Sequence, residues 1–288
     1  MDVRKDAAEF LRSRRSRLSP EKAGLTAWGR NRRVTGLRRE EVALLAGVSV
    51  EYYVRLERGN LGGASEAVLD SVADALQLDE AERAHLHDLA RTSSTRAGAR
   101  RPARPTVRPQ VQWLLDSMTD TAAYVRNARI DILATNTLGR ALYAPVFEMQ
   151  GRPNVARFVF LDPRSRDFFI ELPKVAGEAA ALLRTLAGEN PYDQGLTELV
   201  GELSTRSETF RTLWAAHEVR QHRTGVKRFH HPLVGDMTLS YESMEITADP
   251  GCRLNAYVAE PGSPSAQAFN LLASWARTPA ASLVDARD

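Results

Sequence analysis

From Leu37 to Asn60 the chain reads LRREEVALLAGVSVEYYVRLERGN, and its apolar residues twice fall on a helical period with a break between. Val42, Ala43 and Ala46 form the first set; Val48, Tyr53 and Leu56 form the second. Gly47 lies between them and supplies the positive φ that a short turn needs. Ser49 predicts an N-cap, because its hydroxyl can accept a backbone N–H that the first helical turn leaves without a partner. Two short helices crossing steeply about such a turn form a helix-turn-helix, which commonly lays its second helix in the DNA major groove. An αα-hairpin in a helical bundle has a similar pattern. Phase assigns Tyr53 and Leu56 to the core and leaves Val50, Glu51, Tyr52 and Arg55 facing out.

Around this unit the pattern predicts three more helices. Ala7–Arg17 places Phe10 and Leu11 inward and Arg12, Arg14, Arg15 and Arg17 outward. Ala64–Leu76, capped by Ser65, repeats Val68, Leu69, Val72 and Leu76 at helical spacing. Asp79 and Glu82 form the ends of a capping box that starts a helix carrying Leu86 and Leu89. Between the first and second helices, residues 18–36 contain Pro20, Gly24, Gly29 and Gly36, which forbid a long helix. The stretch reads either as a functional loop whose Arg30, Arg32 and Arg33 reach phosphates or a minor groove, or as an insertion without contacts. Arg38 and Arg39 open the second helix without a residue able to accept a backbone N–H; their guanidinium groups suit DNA phosphates instead.

Residues 92–108 read as a basic linker rich in Pro and Arg, with little to bury. The region beyond, 109–279, mixes periods of 3.6 and 2. Helices are expected at Pro109–Met118, after an Asn136 N-cap, at Val175–Ala187 and at Ser204–His217, the last placing Phe210, Leu213, Trp214 and His217 on one face. Ala123–Val125 and Ile130–Ala134 read as a hairpin, and Val226–His231, Met237–Ile246 and Arg253–Ala259 as a closing meander. Together they predict a five-stranded antiparallel sheet with helices on one side, a PAS-like arrangement. The expected domains are therefore 1–91, 109–279 and, between them, the linker 92–108, followed by a tail at 280–288.

Composition narrows the function. The 288 residues are 43% hydrophobic and 26% charged, as in a soluble globular protein. No apolar run approaches the ~18 residues of a membrane span and the first residues lack an apolar signal core, so the reading is cytoplasmic. Cys252 is the single cysteine, which rules out an internal disulfide framework and a cysteine-based zinc cluster. Residues 1–108 carry 21 Lys and Arg against 15 Asp and Glu, whereas the remainder carries 18 against 21. A basic half joined to a mildly acidic half suits a nucleic-acid binder tethered to something that should not bind nucleic acid. There is no G-x-S-x-G elbow, P-loop or G-x-G-x-x-G, and the adjacent His230 and His231 would point to opposite faces of a strand. No catalytic residue, metal ligand or cofactor is assigned, and the protein is read as a non-enzyme.

The stretch from Leu37 to Gly59 resembles the XRE/Cro-type helix-turn-helix family at Leu37, Glu40, Glu41, Ala43, Ala46 to Ser49, Leu56, Glu57 and Gly59. Nearly the whole chain resembles the MmyB-like transcription regulators. The residues carrying that likeness are GLRREEVALLAGVSVEYYVRLERG, LDSVADALQLDEAERAHLHDLA, NVARFVFLDPRSRDFF and LWAAHEVRQHRTGVKRFHHPLVGDMTLSYE. The resemblance implies an N-terminal five-helix DNA-binding domain and a C-terminal PAS-like domain that holds a small, hydrophobic, fatty-acid-like ligand. Arg55 departs from the bulky aromatic expected there.

The expected DNA contacts are Arg32, Arg33, Arg38, Arg39, Ser49, Val50, Glu51, Tyr52, Arg55 and Arg58. By chemistry Arg55 reads guanine O6 and N7, Glu51 accepts from cytosine N4, and Val50 touches a thymine methyl. For the ligand, Tyr143, Phe147, Phe158, Trp214 and Phe229 are candidate walls, with His217 and Arg220 as donors to a carboxylate; aromatics at helical spacing equally build a core. The resulting expectation is a sequence-specific, ligand-responsive regulator that binds double-stranded DNA as a homodimer on two half-sites. The alternatives are an enzyme, or a ligand-free dimerisation module, targeted to DNA by the helix-turn-helix.

Overall fold

A computed structural model describes residues 2–25, 34–94, 107–219 and 223–278. Arg32, Arg33 and Arg220, most of the linker and the tail 280–288 lie outside these residues. Contacts divide the chain into two units. One comprises Met1–Arg101 with Arg184–Thr197 and Thr212–Gln221; the other comprises Pro102–Leu183, Glu198–Arg211 and His222–Asp288.

The first unit opens with five helices: α1 (Val3–Arg17), α2 (Arg39–Leu45), α3 (Val50–Glu57), α4 (Glu66–Ala75) and α5 (Glu80–Ser94). Their starts follow local chemistry. Asp2 accepts from the Arg4 and Lys5 amides, Ser49 from Tyr52 and Ser65 from Val68. Asp79 and Glu82 form the reciprocal capping box, at 2.9 and 3.1 Å. Arg38 provides no cap; Glu41 instead reaches back to accept the Arg38 amide at 2.6 Å. Gly47 turns the chain between α2 and α3 at φ +65°, a conformation that costs an L-residue free energy. Phe10, Leu11, Leu37, Val42, Tyr53, Leu56, Val72 and Leu86, each at most 1% exposed, form the core.

The second unit is built on a five-stranded antiparallel sheet, with strands β1 (Ala122–Arg126), β2 (Ile132–Thr135), β3 (Thr224–His231), β4 (Gly235–Glu245) and β5 (Arg253–Ala259) in the order β2-β1-β5-β4-β3. Its helices, three of which (α11, α12 and α13) include residues of the first unit, are α6 (Pro109–Ser117), α7 (Thr137–Leu142), α8 (Ala144–Phe147), α9 (Val155–Leu161), α10 (Ser165–Phe168), α11 (Leu172–Glu189), α12 (Gln194–Arg206), α13 (Glu208–Ala215) and α14 (Pro264–Arg277). Asn136 caps α7 by accepting the Gly139 amide at 2.7 Å, and its amide nitrogen donates to the Met118 and Thr121 carbonyls.

Helices do not lie on one side only, as the strand pattern suggested. All five residues of β1 are buried, because Ala123 and Val125 pack with Val111 and Leu115 of α6, while Tyr124 faces the aromatic core beside Tyr143 and Tyr257. The expected helix Ser204–His217 is in fact α12 and α13, parted at Ser207, and His217 lies beyond them at φ +52°. Phe210 is buried against Phe160.

Candidate DNA interface and ligand cavity

Helix α3 is held from beneath by apolar contacts and one buried carboxylate. Tyr53 and Leu56 are fully buried, and Glu57 is 1% exposed. One Glu57 oxygen accepts from Arg15 Nε of α1 at 2.5 Å, and the other accepts from Arg39 Nε of α2. Arg15 also donates to the Leu37 carbonyl at 2.8 Å. A carboxylate removed from water needs such partners at both oxygens; here they tie α1, α2 and α3 together.

The opposite side of α3 is open. Val50, Glu51, Val54, Arg55, Arg58 and Asn60 line a shallow concave surface, and Val50 is 38% exposed. The Arg55 guanidinium lies 4.4 Å from the centre of the Tyr52 ring, an arrangement that restricts its rotamers. Ser49 is exposed, but its hydroxyl is engaged as the N-cap of α3. Arg38 is exposed beside α2, whereas Arg39 is half-exposed and tied to Glu57. The sequence-predicted DNA residues that are described thus gather around α2 and α3.

The ligand candidates do not gather. Tyr143 and Phe158 are fully buried core aromatics; Tyr143 shares a 2.8 Å hydroxyl hydrogen bond with Tyr257 and packs against Phe168 and Phe229. Phe147 is half-buried beneath the Arg140 guanidinium. Trp214 and His217 belong to the first unit, where Arg184 covers the indole and His217 Nε2 lies 3.2 Å from Glu9. Burial and the nearby Arg184 lower the His217 imidazole to about 4.

A different set lines the cavity of the second unit. Its apolar walls include Ile130, Val155, Val159, Val175 and Leu182, and its polar lining comes from Tyr124, Arg126, Glu178, Lys227 and Asn255. The empty space is about 390 Å³ counting its open mouth. It is a slit. Arg126 is 1% exposed and Lys227 7%. Burial pushes the Lys227 ammonium down to about 8; Glu178 opposes this and Arg126 adds to it. The Asn255 side-chain oxygen is buried with no hydrogen-bond partner. Two buried cations, with the Glu178 carboxylate beside them and aliphatic side chains around, can receive an anionic head with an apolar tail.

Lys227 was legible in the alternation of β3. Lys227, Phe229 and His231 share the buried face while Val226, Arg228 and His230 are exposed; a lysine in phase with a core phenylalanine marks an inward cation. His231 Nε2 donates to the Ala141 carbonyl at 3.1 Å while its Nδ1 accepts the Leu233 amide at 3.3 Å, and the exposed His230 pairs with Asp236. Among the described residues no group of His, Cys, Asp or Glu could hold a metal ion, and no helix is long and apolar enough to cross a membrane.

An N-terminal helix-turn-helix with an open second helix, joined to a sheet domain enclosing a cationic slit, defines a DNA-binding protein with a ligand-binding domain. Residues 6–86 match a helix-turn-helix domain, and residues 107–272 match the MmyB-like transcription regulator ligand binding domain. The chain belongs to the MmyB-like transcription regulators. No curated protein matches it.

Proposed function

We propose that this regulator reads a specific operator through α3 and responds to a fatty-acid-like anion held in the slit of the second unit. The observation that carries the ligand reading is the pair of buried cations, Arg126 and Lys227, in a cavity walled mainly by aliphatic side chains. A carboxylate adds charge-assisted hydrogen bonds to them, and an acyl chain suits the aliphatic walls. On the DNA side, Glu51 and Arg55 read base edges, Val50 supplies an apolar contact, and Arg38 and Arg58 contact phosphate. A single helix-turn-helix covers few base pairs, so a cytoplasmic homodimer on two half-sites completes the reading.

Selection of duplexes from a random pool by the full-length protein tests the first half. A recovered motif that loses preference at single positions in Glu51→Ala and Arg55→Ala supports it; indifference to sequence overturns it. Calorimetric titration with sodium laurate tests the second half. Saturable binding that weakens at least tenfold in Lys227→Met supports it, and equal binding by the variant overturns the assigned site.

A further inference from the structure

The slit of the second unit holds an acceptor that a plain fatty acid leaves unused. Asn255 of β5 lines it and is 1% exposed, and its side-chain oxygen is buried with no hydrogen-bond partner. Such an oxygen has lost water without regaining a bond inside the protein, which costs free energy in the folded state. Buried side-chain oxygens are satisfied in most proteins. One left over in a cavity wall points to a donor on the molecule that enters.

The sheet explains why no neighbour supplies that donor. In the register of β1, β5 and β4, Asn255 stands between Tyr124 and Ser243. The Tyr124 ring packs against Tyr143 and Tyr257, and the Ser243 hydroxyl accepts from Arg253 Nε at 3.1 Å. The Lys227 ammonium lies 5.3 Å from the Tyr241 ring centre. None of them donates to the Asn255 oxygen. Glu178, also in the lining, carries a carboxylate, which accepts and does not donate. Two residues beyond Tyr124 on β1 comes Arg126, opposite Arg253. Asn255 and Arg126 are therefore diagonal neighbours across the two strands, about 7–8 Å apart, and both line the slit. An acid whose carboxylate meets Arg126 passes its first few atoms beside Asn255.

We infer that the slit selects an acid bearing a hydroxyl or amide N–H close to its carboxylate: the carboxylate goes to Arg126 and Lys227, and the added donor goes to Asn255. A 3-hydroxy acid and an N-acyl amino acid share this chemistry, because each sets a donor a few atoms from its own carboxylate. A plain fatty acid has none. Asn255 is thus the specificity-determining residue of the slit. The inference rests on the ligand reading above and adds to it a second, separable requirement. A site with a polar group awaiting its partner rejects the analogue that lacks it more strongly than an apolar pocket rejects a missing methylene.

The test is calorimetric titration of the full-length protein with sodium laurate, 3-hydroxylaurate, 12-hydroxylaurate and N-decanoylglycine. Satisfying one buried acceptor should strengthen binding about tenfold over laurate, for 3-hydroxylaurate or for N-decanoylglycine. The tighter of the two identifies the donor as hydroxyl or amide. With its hydroxyl at the far end, 12-hydroxylaurate should gain less than about twofold. In Asn255→Leu, or in Asn255→Ala where the first does not fold, the preference over laurate should fall below about twofold. Asn255→Asp still accepts at that position and should keep it. If laurate binds and neither donor-bearing acid binds tighter, or if the gain persists in Asn255→Leu or Asn255→Ala, the inference is overturned and the ligand reading stands. An equal gain from 12-hydroxylaurate overturns it as well. If none of the four acids binds, the ligand reading falls and takes the inference with it.

Discussion

Replacing Lys227 by Met should make the protein more stable and less able to bind an anion. Lys227 is 7% exposed, and burial among Tyr124, Leu182 and their neighbours moves its ammonium from the ordinary 10.5 down to about 8. At 1.36 kcal/mol per tenfold change in proton affinity, this corresponds to about 3 kcal/mol against folding at neutral pH. The groups facing it are Glu178, which favours the charge, Arg126, which opposes it, and Tyr241, whose ring centre is 5.3 Å away. The sign follows from proton counting. Between pH 8 and 10.5 the unfolded chain binds the proton and the folded chain does not, so the Lys227 contribution to stability rises with pH in that window. Methionine has a similar length and no charge, so Lys227→Met should gain up to about 3 kcal/mol at pH 7, with the advantage fading towards pH 10.5. Urea unfolding of both proteins at pH 7, 8.5 and 10 measures the difference and cancels other titrating groups. A variant that is less stable than wild type, with a pH-independent difference, would show that the ammonium is well compensated in the folded state and would refute the reasoning.

Other consequences follow from the first unit. Glu57→Gln removes the charge that two arginines share and should cost about 3 kcal/mol, the lower range for breaking a buried pair; at ~4 °C per kcal/mol the melting temperature of this unit falls by roughly 12 °C, read by calorimetry. Ser49→Ala deletes the cap of α3 and should cost about 1 kcal/mol, visible as a smaller urea midpoint with unchanged slope. Arg38→Ala should weaken binding to all duplexes alike and lower the slope of log affinity against log salt by about 1, whereas Arg55→Ala should lose about 1–3 kcal/mol at one base position.

How far the sequence could be read depends on which force placed each residue. The helix-turn-helix was plain because local signals agree: the Ser49 cap, the Gly47 turn, and the phase of Tyr53 and Leu56 all specify one geometry. The sheet was legible for the same reason, since alternation in β3 and β4 is uninterrupted and each partner strand begins after a turn signal. Where global packing decides, local pattern misled. Ser207 divides what reads as one amphipathic helix, and Trp214 and His217 fall with residues 212–221 in the first unit whereas Phe210 belongs to the second. No periodicity encodes that. Aromatic residues do not mark the cavity, because they fill the core around Tyr143, Phe158 and Phe229. Its polar lining comes from Arg126, Lys227 and Asn255, which sit on three strands far apart in the chain and meet only once β1, β5 and β3 are laid in one sheet.

The cost of burying Lys227 bears on which molecule the slit should answer to. An uncharged hydrophobe could part the walls, but it would leave the ammonium as poorly solvated as before. A carboxylate about 4 Å from the ammonium gains roughly 4 kcal/mol at an effective dielectric of 20, comparable with the burial cost worked out above, while its chain supplies about 0.8 kcal/mol for each methylene removed from water. The two contributions act at opposite ends of one molecule. Shortening the chain should therefore reduce affinity gradually, about fourfold per methylene, whereas converting the acid to its methyl ester should reduce it abruptly, and more in wild type than in Lys227→Met. In Lys227→Met the difference between acid and ester should shrink to what Arg126 alone supplies. A series of free acids and esters measured against both proteins separates the terms, and an ester that binds wild type as tightly as its acid would remove the cations from the account of recognition.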